Sequence, residues 1–267
     1  MRILPTMPEI LDWSALAEWY DAKQGDTGDP WHKELIDPPL LALVGEVRGQ
    51  QLIDLACGNG YLARRFARDG AKVAAVDASA PMIERARARE RTEPLGIEYS
   101  VGDAASLPVL ASDTFDVVVC NMALMDMPDV VGPFREVARL LRPGGRFVAS
   151  LCHPCFDVPD ASSWLWERVE YETKVSRRVG RYRRPFEATS LWQVPGRPEF
   201  LTRSYHRPLS WYVRELWSAG LAVTAMEEPE GTEAFHAGPP QREGIREVPL
   251  HLVIEARRTP VGPTGGR

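Results

Sequence analysis

Apolar positions along this chain switch between two periods, and the switches mark its elements. Leu52–Ile53–Asp54–Leu55 is a short apolar run interrupted only by one acid. It leads into Ala56–Cys57–Gly58–Asn59–Gly60, a glycine-containing turn, after which Leu62, Ala63, Phe66 and Ala67 recur at helical spacing. Arg64, Arg65, Arg68 and Asp69 fall on the opposite face, and Gly70 supplies a stop. The pattern predicts strand, tight turn, helix, and then it repeats. Ala71–Val76 is a second apolar run ending at Asp77. Ser79 can cap the next helix, with Pro81 in its first turn and Met82, Ile83 and Ala86 as its apolar face. Ile97–Val101 predicts a third strand. Phe115–Met122 predicts a fourth, apolar enough to be buried on both faces. Phe134, Val137, Ala138 and Leu141 mark a crossover helix that stops at Arg142–Pro143–Gly144–Gly145, before a fifth strand at Arg146–Leu151. Strands alternating with helices at this spacing predict a parallel, doubly wound α/β sheet.

The flanks read differently. Residues 11–23 place Leu16, Trp19 and Tyr20 at helical spacing behind a possible cap at Asp12. A polar loop over 24–30 precedes Trp31 and His32 and a second helix around Leu35–Val44. After residue 152 the helical period is lost. Trp164, Trp166, Tyr171, Tyr182, Phe186, Trp192, Phe200 and Tyr205 are scattered among β-like stretches at Glu167–Val175, Arg177–Arg184 and Phe200–Tyr205, which predicts a small antiparallel insert. A helix over Trp211–Gly220, capped by Ser210, and strands at Leu221–Met226 and His251–Glu255 close the pattern, with a Pro/Gly-rich tail expected to fray from Arg257. The expected organisation is N-terminal cap helices over 1–48, a core over 49–154, a lid insert over 155–207, the end of the core sheet over 208–257 and a tail over 258–267.

Composition narrows the function classes. Of 267 residues, 44% are hydrophobic and 26% charged, enough for one sizeable core. A net charge of −5 argues against a general nucleic-acid binder. No apolar run reaches the length of a membrane span, and Met1–Arg2–Ile3–Leu4–Pro5 carries no signal-peptide core, so a cytoplasmic location without a membrane partner is expected. Cys57, Cys120, Cys152 and Cys155 form no disulfide framework. Cys152–His153–Pro154–Cys155 has the C-x-x-C spacing, but no second Cys/His pair exists to complete a zinc site, and the motif follows a strand instead of opening a helix. No metal is expected.

The chemistry lies in the glycine turn. Glycine lets backbone come close to a ligand, and the helix N-terminus behind it favours negative charge. Gly58–Asn59–Gly60–Tyr61–Leu62–Ala63 with Asp77 formally fits a dinucleotide fingerprint. Asp54, however, suits a ligand with an ammonium group better than a pyrophosphate. The run from Asp54 to Gly60 resembles motif I of the class I S-adenosylmethionine (SAM)-dependent methyltransferases, with Ala56 where the usual form has Gly. Val76–Asp77, Gly102–Asp103–Ala104, Phe115–Asp116–Val117–Val118 and Leu140–Leu141–Arg142–Pro143–Gly144–Gly145 match the same family in order over roughly residues 50–152. Tyr205–His206–Arg207–Pro208–Leu209–Ser210 and His153–Pro154–Cys155–Phe156 look more loosely like bacterial small-molecule methyltransferases of the type 11 group.

That resemblance implies a Rossmann-like, seven-stranded, mostly parallel sheet with an antiparallel last strand, SAM as cofactor and S-adenosylhomocysteine as product. It implies that Gly58, Asn59 and Gly60 approach the methionyl and ribose part near Asp54, and that Asp77, followed by Ala78, accepts the ribose hydroxyls. Asp103 and Ala104 would meet the adenine, Met82 would pack on it, and Asn121 and Met122 would lie near the sulfonium. An aromatic residue of the leading helix, Tyr20, would cap the methionine end. Transfer to oxygen or nitrogen of a small molecule is expected, and His153 or His206 could take a proton, with Asp126 behind them. Asn121–Met122–Ala123–Leu124 is not the Asn/Asp-Pro-Pro-Tyr/Phe tetrapeptide of amino-directed DNA and protein methylases. Between residues 168 and 207, ten Lys and Arg stand against four Glu, so the insert could wall an anionic or aromatic acceptor, or form a homodimer face. An NAD(P)-binding oxidoreductase, a non-catalytic SAM-binding protein and an RNA methyltransferase are the alternatives.

Overall fold

The computed structural model describes residues 8–169, 172–194, 196 and 198–259. Its strands are β1 (Glu9–Ile10), β2 (Gln51–Leu55), β3 (Lys72–Asp77), β4 (Glu98–Val101), β5 (Phe115–Asn121), β6 (Leu141–Cys152), β7 (Ser162–Val169), β8 (Glu172–Val179), β9 (Phe186–Trp192), β10 (Phe200–His206), β11 (Leu221–Glu227) and β12 (His251–Arg258). The helices are α1 (Ala17–Gln24), α2 (Asp37–Val44), α3 (Tyr61–Arg68), α4 (Ala80–Thr92), α5 (Val131–Leu140), α6 (Leu209–Ser218) and the short α7 (Glu233–His236).

Seven strands form the central sheet in the order β11-β12-β6-β5-β2-β3-β4. Pairing is parallel from β6 through β4, and β12 runs antiparallel to both of its neighbours, β6 and β11. The alternation of β5 explains why the sheet is covered twice. Val118 and Cys120 face one core with Phe134 and Val137 of α5 and Leu216 of α6. Val117 and Val119 face the other, with Leu40 of α2, Phe66 of α3 and Ile83 of α4. The chain runs outward from β2 to β4 and returns to β5, so the crevice where strand order reverses opens at the carboxyl ends of β2 and β5.

The insert differs in detail from its expected form. It contains two separate pieces: the hairpin β7–β8, and β9–β10, whose β10 also pairs in parallel with the two-residue β1. Ser176 lies inside β8, paired opposite Leu165, and not between two strands, with Trp164 and Trp166 opposite Arg177 and Val175. Tyr171 and Arg197 lie outside the described residues. Helix α6 begins at Leu209 after an extended Pro208, so Ser210 sits inside the helix and is not its cap. The sheet holds β12 through Arg258, and the Thr259 N–H reaches Gly220 O at 2.9 Å, so the chain is ordered past the point where fraying was expected. The tail from 260 lies outside the described residues, as do residues 1–7.

Ahead of α2 the chain makes a π-helical turn, His32–Ile36, closed by the Asp37 N–H on His32 O. Prolines explain it. Pro38 and Pro39 have no N–H to offer Glu34 O in either the α or the π register, and Thr232 N–H takes that carbonyl instead at 3.1 Å. Among the described residues, no helix is long and apolar enough to cross a membrane.

Candidate functional site

The turn between β2 and α3 is built as a cradle. Ala56, Gly58 and Gly60 all have left-handed backbone (φ 56°, 54° and 75°). At Gly60 a side chain would overlap the Tyr99 ring, and at Gly58 it would meet the Tyr20 ring at 3.5 Å. Ala56 tolerates a conformation that usually selects glycine, which accounts for the family's Gly at that position. Asp77 Oδ2 accepts the Gly58 N–H at 2.8 Å, and Oδ1 accepts Ser79 N–H at 2.8 Å. One carboxylate therefore fixes both the turn and the start of α4, where Ser79 Oγ takes Met82 N–H as expected of a cap. Burial raises the Asp77 pKa.

Asp54, at the tip of β2, is buried with Oδ2 lacking a hydrogen-bond partner among the described residues. Burial, then the charge of Asp77, pushes its pKa up to about 8. An orphaned buried carboxylate beside a glycine turn is what a cationic group of a ligand would satisfy. Tyr20 covers the turn from α1. Burial and the nearby Asp29 and Asp126 hold its phenol protonated. These features fit the amino-acid end of SAM.

The remaining expected residues fall around this cradle, with different commitments. Met82 is buried, Ala78 is exposed at the head of α4, and Ala104 is half-buried. Asp103 is exposed, with Oδ1 accepting Ala105 N–H at 2.9 Å. The Asn59 side chain turns away from the cradle: its amide donates to Asp21 Oδ1 at 2.9 Å and Gly25 O at 3.0 Å, so it holds the N-terminal cap. Asn121 is committed to a chain of polar groups. Its amide donates to Tyr61 Oη at 2.8 Å, Tyr61 donates to Asp37 Oδ1 at 3.0 Å, and its carbonyl accepts from Ser150 Oγ. Met122, in left-handed backbone, is tied through its N–H to Ser150 Oγ at 2.9 Å.

Of the expected bases, His153 is buried and has both nitrogens engaged. Nδ1 accepts Cys155 N–H at 3.1 Å, which leaves the proton on Nε2, 2.9 Å from Glu228 Oε1. His206 is buried with Nε2 donating to Tyr182 O at 2.7 Å. Asp126 accepts from Trp13, and burial lifts its pKa to about 7. Cys155 Sγ lies 3.6 Å from Tyr182 Oη.

A family model described as a methyltransferase domain matches residues 53–149. A malonyl-[acyl-carrier protein] O-methyltransferase of Hahella chejuensis is 31% identical over 82% of this chain and 75% of its own length. A solved SAM-dependent methyltransferase of Mesorhizobium loti is 31% identical, covers 83% of this chain and 96% of its own, and superposes with a TM-score of 0.70. The chain belongs to the SAM-dependent methyltransferases. It also matches a ubiquinone biosynthesis O-methyltransferase of Xanthomonas oryzae pv. oryzae at 32% identity, over 53% of this chain and 59% of that relative's length. Two features escaped the sequence reading: the Asn121–Tyr61–Asp37 chain, and the bond from His32, a residue that could border the substrate pocket or simply pack, to Asp29. The Asp37–Pro38–Pro39 string signals the π turn.

Proposed function

We propose that this chain transfers a methyl group from SAM to oxygen or nitrogen of a small acceptor. The observation that carries the reading is the buried Asp54 carboxyl, whose Oδ2 has no partner among the described residues, behind a glycine turn clamped by Asp77. When bound, SAM supplies an electrophilic methyl on a sulfonium. Asp54 would hold its ammonium group, Asp77 and the Gly58–Gly60 backbone its ribose side, Asp103 and Ala104 its adenine, and Tyr20 would exclude water above the turn. Catalysis then consists of positioning and, for a hydroxyl acceptor, proton removal. The insert over 155–207 would wall the acceptor side.

The net charge of −5 favours a small acceptor over RNA, and three arginines of the insert serve the fold. Arg177 is spent on Asp157 at 2.7 Å and Phe156 O at 2.9 Å, and Arg203 on Glu187. Arg207 is buried, donating to Leu124 O, Met127 O and Pro128 O. These three hold the insert together, while Arg168, Lys174, Arg178, Arg181, Arg183 and Arg184 are exposed. The test is incubation with methyl-labelled SAM and a library of small hydroxyl, carboxyl and amine acceptors, read by mass spectrometry. A labelled acceptor with stoichiometric S-adenosylhomocysteine is expected. SAM binding with label only on RNA would contradict the small-acceptor reading.

A further inference from the structure

A second polar cluster lies where the acceptor would approach, and its chemistry is that of a base and an anchor. His32 is buried on the π turn, with Nδ1 2.8 Å from Asp29 Oδ1. Asp29 is buried too, fixed by Lys23 Nζ at 2.6 Å on Oδ2 and by its own N–H on Gln24 Oε1 at 3.0 Å. Burial alone would raise the Asp29 pKa, but His32 and Lys23 outweigh it and hold the carboxyl well below its usual range. Nδ1 meets both Asp29 Oδ1 at 2.8 Å and the Gln24 amide nitrogen at 3.1 Å, and the shorter contact to an anionic carboxylate favours the proton on Nδ1 and the lone pair on Nε2. Nε2 has no hydrogen-bond partner among the described residues. A π turn of this kind recurs at functional sites.

The second observation is independent. His251, the first residue of β12, is only 8% exposed, yet its Nδ1 has no partner among the described residues. Its ring lies 5.6 Å from Trp31, the neighbour of His32, and charge on His32 bears on it. Leaving such a nitrogen unmet is costly unless a ligand meets it. The cluster also borders the methyl site. Trp31 and Met122 pack against the same small core with Trp164 and Phe235, and His32 sits edge-on to Tyr61, which bonds Asn121. Aromatic side chains therefore wall the cluster.

We propose that His32 is the general base for an aromatic hydroxyl acceptor, with Asp29 as its positioning residue and His251 Nδ1 donating to the acceptor oxygen. This rests on the methyltransferase reading above. The acceptor oxygen bonds the methyl carbon, the carbon–sulfur bond breaks with its electron pair going to sulfur, and the hydroxyl proton passes to His32 Nε2. The charged and titratable groups facing His32 are Asp29 and Lys23, Asp37, Tyr61 and His251.

The test uses the full chain with catechol, phenol and 4-hydroxybenzoate as probes and cyclohexanol as control. In wild type, saturation with S-adenosylhomocysteine followed by a probe should shift the ring resonances of His32 and His251 in ¹⁵N-histidine spectra, and methyl transfer to a probe should show an acid limb. His32→Gln should keep S-adenosylhomocysteine affinity within about threefold while kcat falls about 10²–10⁴-fold and the acid limb disappears. Asp29→Asn should move that limb. His251→Phe should raise KM about 3–10-fold with little change in kcat. Transfer by His32→Gln within about threefold of wild type would overturn the base. A wild type that binds S-adenosylhomocysteine but neither binds nor methylates any of the three probes would overturn the acceptor class. A wild type that binds no S-adenosylhomocysteine would overturn the underlying reading as well.

Discussion

Asp54 is the residue whose environment has the clearest consequence. Its folded pKa of about 8 stands above the ordinary value of 3.8, so the folded chain holds this proton more tightly than the unfolded one. The associated stability is complete below about pH 4 and is lost as pH rises through about 8. Asp54→Asn should therefore match wild type in acid and gain on it steadily between about pH 4 and pH 8, by up to roughly 1.4 kcal/mol per pH unit, with thermal melts of the ligand-free protein across pH as the check. A melting-temperature difference that stays constant with pH would contradict the buried, unmet carboxylate. Local chemistry of this kind was legible in the chain. An acid ending a strand four residues before Gly58, and another ending the next strand, have few roles other than meeting a ligand or clamping a turn. What stayed hidden were pairings over long separations. His251 meets Trp31, the neighbour of His32, only through β12 docking antiparallel on β6.

Helix α1 and its following loop are latched to the core by a compact polar set. Besides Asn59, Arg89 meets Asp21 and Asp26 at 2.7 Å, and Arg64 donates to Asn59 O at 2.8 Å and lies 3.3 Å from Asp26. The Asp21 carboxyl, although partly buried, is held below its usual range by Asn59, Arg89 and Arg85. Asn59→Ala removes the two bonds to the cap and the acceptor for Tyr61 N–H, so a loss of about 2–3 kcal/mol is expected. Hydrogen exchange should show residues 17–24 losing protection before β5. Equal loss in both would mean that the cap does not open separately. The existence of these elements was readable from periodicity, while their ends were set by neighbours. The helix expected from residue 35 begins as a π turn because Pro38 and Pro39 withhold two donors, and the insert's sheet recruits β1, a strand too short to leave a pattern.

At the scale of the molecule, the sheet order gathers the groups of the candidate site at one end. The cradle stands at β2, the Asn121 chain at β5, and His153 and His251 at the adjoining ends of β6 and β12. The seven-stranded arrangement was legible because each βα unit announced itself by length and turn chemistry. This crevice is the proposed seat of SAM. Calorimetric titration of wild type and Asp77→Ala with S-adenosylhomocysteine and with NADH tests it most directly. Saturable S-adenosylhomocysteine binding, weakened about 10–100-fold in the variant by loss of a charged acceptor and of the Gly58 clamp, is the predicted result. Binding of NADH with none of S-adenosylhomocysteine would contradict it and return the glycine turn to a dinucleotide.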